Sequence, residues 1–146
     1  MKPASSINGL TDELLNDRGV PVKEVLDLYA SAIEDGYVAV AFNAQYDLKV
    51  IRAEMRHAKR DDLFEKTRNV CVMRAMTELC AIPKRNGFGL KFPSLAEACE
   101  YWGITNENPH DGMADAEAAM KIMINLHRAN LLPEPKVHYA KNKAPA

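Results

Sequence analysis

Cysteine is scarce in this chain: Cys71, Cys80 and Cys99 are its only three, an odd number without any Cys-x-x-Cys spacing. That argues against a disulfide framework or a zinc site and for reduced, buried thiols. Charge of one sign is missing as well. With 19 Lys and Arg against 20 Asp and Glu, the net charge is −1, so the protein as a whole does not attract nucleic acid. Any grip on phosphate must come from a local basic patch. Long apolar runs are absent too. Met1-Lys2-Pro3-Ala4-Ser5 has no apolar core of the signal-peptide kind, and no stretch reaches the ~20 residues that span a bilayer. The expectation is a soluble, cytoplasmic chain with no membrane contact. Repeats and low-complexity tracts are lacking. What remains is ordinary globular composition, 47% hydrophobic and 27% charged over 146 residues, enough for the core of one domain.

The elements are marked by their caps and periods. In "TDELLNDRG", Thr11 caps a short helix, Asp12 and Glu13 sit at its positive end, and Gly19 stops it. After Pro21, residues Val22, Val25, Leu26, Tyr29 and Ile33 recur at helical spacing up to Gly36. "YVAVAF", Tyr37 to Phe42, is short, continuously apolar and bounded by Gly and Asn, the pattern of a strand buried on both faces. Asp47 to Arg60 is helical again, with an apolar stripe at Leu48, Ile51, Met55 and Ala58 beside a basic one at Lys49, Arg52, Arg56 and Lys59. "NVCVM", Asn69 to Met73, is a second short strand and leads into a helix through Cys80. "IPKRNGFGLKFP" is loop. Ser94 with Glu97 forms a capping box, and Gly103 closes that helix after Trp102. A last helix runs from about Asp111 to Ala129. The alternation predicts an α/β protein of few strands, mostly helical. Residues 1–132 form its single domain and 133–146 a loosely ordered tail.

Two constellations carry chemistry. Asn43 and Asp47 stand where the first strand ends and a helix begins, the end at which α/β proteins place ligands. Taken alone, Asp47 reads as a helix cap. His110, Asp111 and Asp115 open the alanine-rich last helix; taken alone, Asp111 is a cap and His110 a loop residue. The basic stripe, with Lys49 and Arg52 nearest the strand end, reads either as a phosphate-binding face or as a solvated one.

Together these features resemble a known family. Asn43-x-x-x-Asp47 follows an apolar strand, a Leu95-x-x-Ala98 helix ends in Trp102-Gly103-Ile104, and His110-x-x-x-x-Asp115-Ala116 opens a helix. In that order they look like motifs II and III of the DnaQ-like DEDDh exonucleases, a similarity running from about Pro3 to Leu126. The resemblance implies an RNase H-like fold and a 3′–5′ exonuclease acting on single strands or 3′ ends, DNA before RNA. It implies two divalent ions, Mg²⁺ or Mn²⁺, as cofactors. It makes Asp47 and Asp115 the metal ligands and His110 the general base and matches Asn43 to the family's asparagine; Lys49 and Arg52 of the basic stripe join Asn43 as candidate substrate contacts. The ordinary pKa of imidazole suits such a base near neutrality.

The family's first motif, a strand-borne Asp-x-Glu, departs from this sequence, whose one Asp-x-Glu is Asp115-Ala116-Glu117. Residues two apart on a helix do not face each other, so Glu117 is no substitute. The expectation is therefore a domain truncated at its N-terminus, weak or inactive as an isolated chain. The open edge of its first strand would be covered by a second copy or a partner chain. An inactive nuclease-like module that binds nucleic acid or a protein is the alternative.

Overall fold

The computed structural model describes residues 2–139; the end of the expected loose tail, 140–146, lies outside them. Seven α-helices and a small parallel sheet alternate along the described chain. In order they are α1 (Ser5–Asn8), α2 (Asp12–Arg18), α3 (Val22–Glu34), β1 (Ala39–Ala41), α4 (Ala44–His57), β2 (Asn69–Cys71), α5 (Val72–Cys80), α6 (Leu95–Trp102) and α7 (Gly112–Arg128), with a 3₁₀ turn at Phe64–Lys66. The class is mixed α/β, as expected. No helix among them is long and apolar enough to cross a membrane.

Helix starts follow the local chemistry. The Thr11 hydroxyl accepts from the Leu14 N–H at 3.2 Å. The Ser94 hydroxyl accepts from Glu97 N while the Glu97 carboxylate accepts from Ser94 N, the reciprocal capping box. Gly103 then ends α6 in the left-handed conformation that glycine adopts without strain.

β1 and β2 pair in parallel, Ala39 opposite Asn69, Val40 opposite Val70 and Ala41 opposite Cys71. β2 is buried throughout. β1 corrects the expectation drawn from "YVAVAF": it is three residues long, and Val40 on it is 38% exposed. A strand is buried on both faces only when packed layers flank it, and Val40 is left partly open to solvent. The other edge of β2 is occupied. Lys136 pairs with Asn69 through two backbone bonds of 2.8 and 2.9 Å. The Tyr139 hydroxyl accepts from Cys71 N and donates to Asn69 O. Lys136 and Tyr139 are thus tied to the sheet edge.

Two apolar clusters hold the helices. Val72, Met76, Ala98, Cys99, Ala118, Ile122 and Leu126 knit α5, α6 and α7 together, with Phe42 packed against them from the end of β1. Leu26, Ile33, Met55 and Leu63 join α3 to α4. Beside the second cluster, the Thr67 hydroxyl donates to Leu63 O at 2.9 Å, so the Tyr29 hydroxyl is the donor in its 2.6 Å bond to Thr67.

Candidate active site

The start of α4 is the first half of the site. Phe42, at the end of β1, uses its carbonyl to accept from Met73 N at 2.8 Å and from the Cys71 thiol, which ties this corner to β2 and α5. Asn43 takes the N-cap position without a side-chain capping bond, and the N–H of Asp47 reaches Asn43 O at 3.3 Å. The cap reading of Asp47 is therefore not what the fold uses: its carboxylate sits on the first turn, free of that duty, at the positive end of the helix. Its side chain reaches solvent, yet the protein packed around it raises the carboxyl pKa from its ordinary value, while its own backbone N–H pulls the other way.

The start of α7 is the second half. Asp111 is the N-cap, accepting from Ala114 N at 2.9 Å. His110 just before it has φ +72°, a left-handed conformation uncommon for a side-chain-bearing residue. Such backbone strain persists where the surroundings impose it, and it concentrates at functional positions. Asp115 is half-buried on the first turn of α7, and its Oδ1 accepts from the Asn106 Nδ2 at 2.8 Å. Burial, and then the negative charge of Asp115, push the neighbouring Cys99 thiol up. His110, Asp115 and Asn106 together line an open cleft of about 600 Å³ whose apolar side includes Leu95 and Ile104.

The structure brings His110 and Asp115 to one cleft; Asn43 and Asp47 do not line it. The basic stripe of α4 divides. Arg52 and Arg56 both bond the Asp62 carboxylate, at 3.2 and 2.8 Å, and the Phe64 N–H followed by these guanidiniums lowers its pKa. Arg52 also lies 4.5 Å over the Phe64 ring. Lys49 instead faces a second cavity. Asn106 went unseen in the sequence. The Asn106-Glu107-Asn108-Pro109 run is made of turn-forming residues, and Asn108 N bonds Asn106 Oδ1 at 3.3 Å, but nothing local tells that the amide reaches Asp115.

Hard cations such as Mg²⁺ want several oxygen ligands at once. Among the described residues no three His, Cys, Asp or Glu side chains converge as a group that could hold a metal ion. The residues present therefore do not by themselves fit a two-ion centre.

No curated protein and no solved structure matches this chain. The RNase T-type family model, described as Exonuclease, matches residues 2–123, a span that takes in Asp47, the Asn106 loop, His110 and Asp115. Covering most of the sequence, that match makes the chain a member of the exonuclease family.

Proposed function

We propose that the protein hydrolyses nucleic-acid phosphodiesters from 3′ ends, single-stranded DNA foremost, on an RNase H-like arrangement of its helices and sheet. The observation that carries this reading is that the family match runs through His110 and Asp115, two side chains of the chemistry such a reaction needs, which line one cleft. His110, exposed on its loop, takes the proton of the attacking water. The Asn106 amide fixes one oxygen of Asp115 and leaves the other to face the reaction. Mg²⁺ or Mn²⁺ is the expected cofactor and would supply charge neutralisation at the phosphate. Asp47 and Asp115 are its candidate carboxylates, with Asn43, Lys49 and Arg52 toward the substrate. Among the described residues no three such side chains converge, so the steps assigned here belong to His110 and Asp115 alone. Free cysteines support a cytoplasmic setting.

The test is a 5′-labelled single-stranded DNA incubated with Mn²⁺ or with EDTA. A ladder of shortened products with Mn²⁺ is expected; His110→Ala should slow it about 10²–10⁴-fold, and Asp115→Ala should bring it to background. Wild type and Asp115→Ala behaving alike would sink hydrolysis by this chain. The second reading, a binding module with no turnover, is favoured by the lack of a converged ligand group among the described residues and by the exposure of Val40 on β1. It expects salt-dependent DNA binding that survives EDTA, or association in light scattering.

A further inference from the structure

Residues 82–91 form a narrow loop pinned to itself. Pro83 pairs antiparallel with Leu90, and Lys91 N bonds Ile82 O at 2.9 Å, Lys84 N bonds Gly89 O at 3.0 Å and Gly87 N bonds Lys84 O at 2.9 Å. At the tip the Asn86 Oδ1 accepts from Phe88 N at 3.0 Å, while Gly87 and Gly89 turn the chain at φ +75° and +76°, angles that suit glycine. Flanked by two residues without side chains, Phe88 is 78% exposed, more than any other large apolar residue among the described ones. From Ile82 to Phe92 the sequence has three cations and no acid. Lys91 is paired with Glu97 at 2.7 Å. Among the described residues no ion pair or hydrogen bond engages the side chains of Lys84 and Arg85. The bond from Lys84 N to Gly89 O sets Lys84 beside the residue that follows Phe88. Single exposed apolar side chains are ordinary on a surface, so the surroundings decide. Leu28, Met113, Tyr37 and Tyr46 are exposed nearly as far, and each stands next to or two residues from an acid: Asp27, Asp111, Asp35 and Asp47. Phe88 departs from all four.

We propose that the tip of this loop grips a nucleic-acid single strand, the Phe88 ring stacking on one unpaired base while Lys84 and Arg85 hold the phosphates beside it. An exposed ring stacks on the π-face that every base has, without regard to sequence. In a duplex those faces are already covered, so the ring finds a base only where the strand is unpaired. Unpaired cations answer the phosphates and release their counterions. In a chain of net charge −1, a local patch of this kind is what nucleic-acid binding requires. A lipid surface fits less well, since recognition of anionic headgroups takes a cluster of about four to eight cations. The loop also runs directly into the candidate site. Ser94, Leu95 and Ala96 line the His110–Asp115 cleft, and the six residues from Phe88 to Ser94 span at most about 22 Å. With its 3′ end in the cleft, a strand would meet the loop a few nucleotides upstream of that end. That the partner is nucleic acid rests on the family reading; that this loop is the grip rests on the ring and the two cations.

The probe is a fluorescein-labelled single-stranded 12-mer, followed by anisotropy in EDTA so that no hydrolysis enters. Phe88→Ala should weaken binding about tenfold, Phe88→Leu nearly as much and Phe88→Tyr little, because only the last keeps a π-face. Lys84→Gln and Arg85→Gln should each lower the slope of log K against log salt by about 0.7, the release expected per phosphate on a single strand. Leu28→Ala, which removes a comparably exposed side chain beside an acid, should leave binding as it is. An abasic 12-mer should compete about tenfold less well than the unlabelled 12-mer, and phosphatidylserine vesicles should not compete. Phe88→Leu binding like wild type, equal competition by the abasic strand, competition by the vesicles, or a wild type that does not bind the 12-mer would each overturn the proposal. The hydrolysis assay fails separately. A missing ladder beside binding that depends on Phe88 sinks catalysis and keeps the loop, and a ladder beside binding indifferent to Phe88 does the reverse.

Discussion

On α7, Ile122 and Leu126 are fully removed from solvent, as are Val72 and Met76 on α5, and they belong to one cluster that includes α6. On the other side of β1 the buried cluster is Leu26, Ile33, Met55 and Leu63, while Val22, Val25 and Leu28 of α3 and Tyr46 and Val50 of α4 face outward. The comparison teaches where the candidate site is rigid. His110 and Asp115 ride on the start of a helix locked by dense packing; Asp47 rides on a helix whose buried face meets a thinner cluster. Local opening should follow that difference, since regions with fewer buried apolar contacts open at lower cost.

Cavity-making substitutions break the comparison most directly. Ile122→Ala should cost about 2–5 kcal/mol, and Leu26→Ala should fall at the low end of that range, because its thinner surroundings collapse more readily. Urea denaturation measures both, and a larger loss at Leu26 would reverse the ranking of the two halves.

A smaller effect, opposite in sign, is expected at Asp47. Its folded-state pKa is raised, so the folded protein binds that proton more tightly than the unfolded chain and is destabilised as pH rises through the raised value. Asp47→Asn should therefore melt slightly higher than wild type at pH 7. The gain should vanish below the ordinary value of 3.8, where both states hold the proton. A variant that melts lower at pH 7 would refute the inference that charge at this position is costly.

The smallest effect belongs to the capping box on the dense side. Lys91, bonded at 2.7 Å, and then the Ser94 N–H hold the Glu97 carboxyl at about 2, against its ordinary 4.5. A depressed acid adds stability that is complete above 4.5 and is lost as pH falls toward 2. Glu97→Gln keeps a capping side chain and removes only the charge. Its thermal midpoint should sit a little below wild type at neutral pH and converge with it across that window. A gap unchanged at low pH would mean that the pair with Lys91 contributes nothing.

How much of this was legible in the sequence depends on the range of the interaction. Thr11, Ser94 with Glu97, Gly103 and Asp111 all act within a turn of where they stand, and each cap was read correctly from its neighbours. The reach of β1 was overestimated, because continuous apolarity speaks of composition while burial at Val40 depends on what packs above it. Asn106 and Tyr139 were invisible as partners, since their bonds to Asp115 and to β2 join segments that nothing in the local pattern connects. For the same reason, spacing placed Asp47 and Asp115 at helix starts and His110 close to Asp115, but nothing local told that Asp47 would lie outside their cleft.

The position of β2 also bears on the order of events during synthesis. Its backbone groups are satisfied on one side by β1 and on the other by Tyr139, partners 68 and 70 residues further along from Cys71 and Asn69. Contacts so distant in sequence must wait for the intervening chain and are slow to close. A chain emerging from its N-terminus therefore completes α5, α6 and α7 before β2 gains its second neighbour. Until then the sheet edge is exposed to other nascent chains. The last described residues act as the clasp that ends that vulnerable interval.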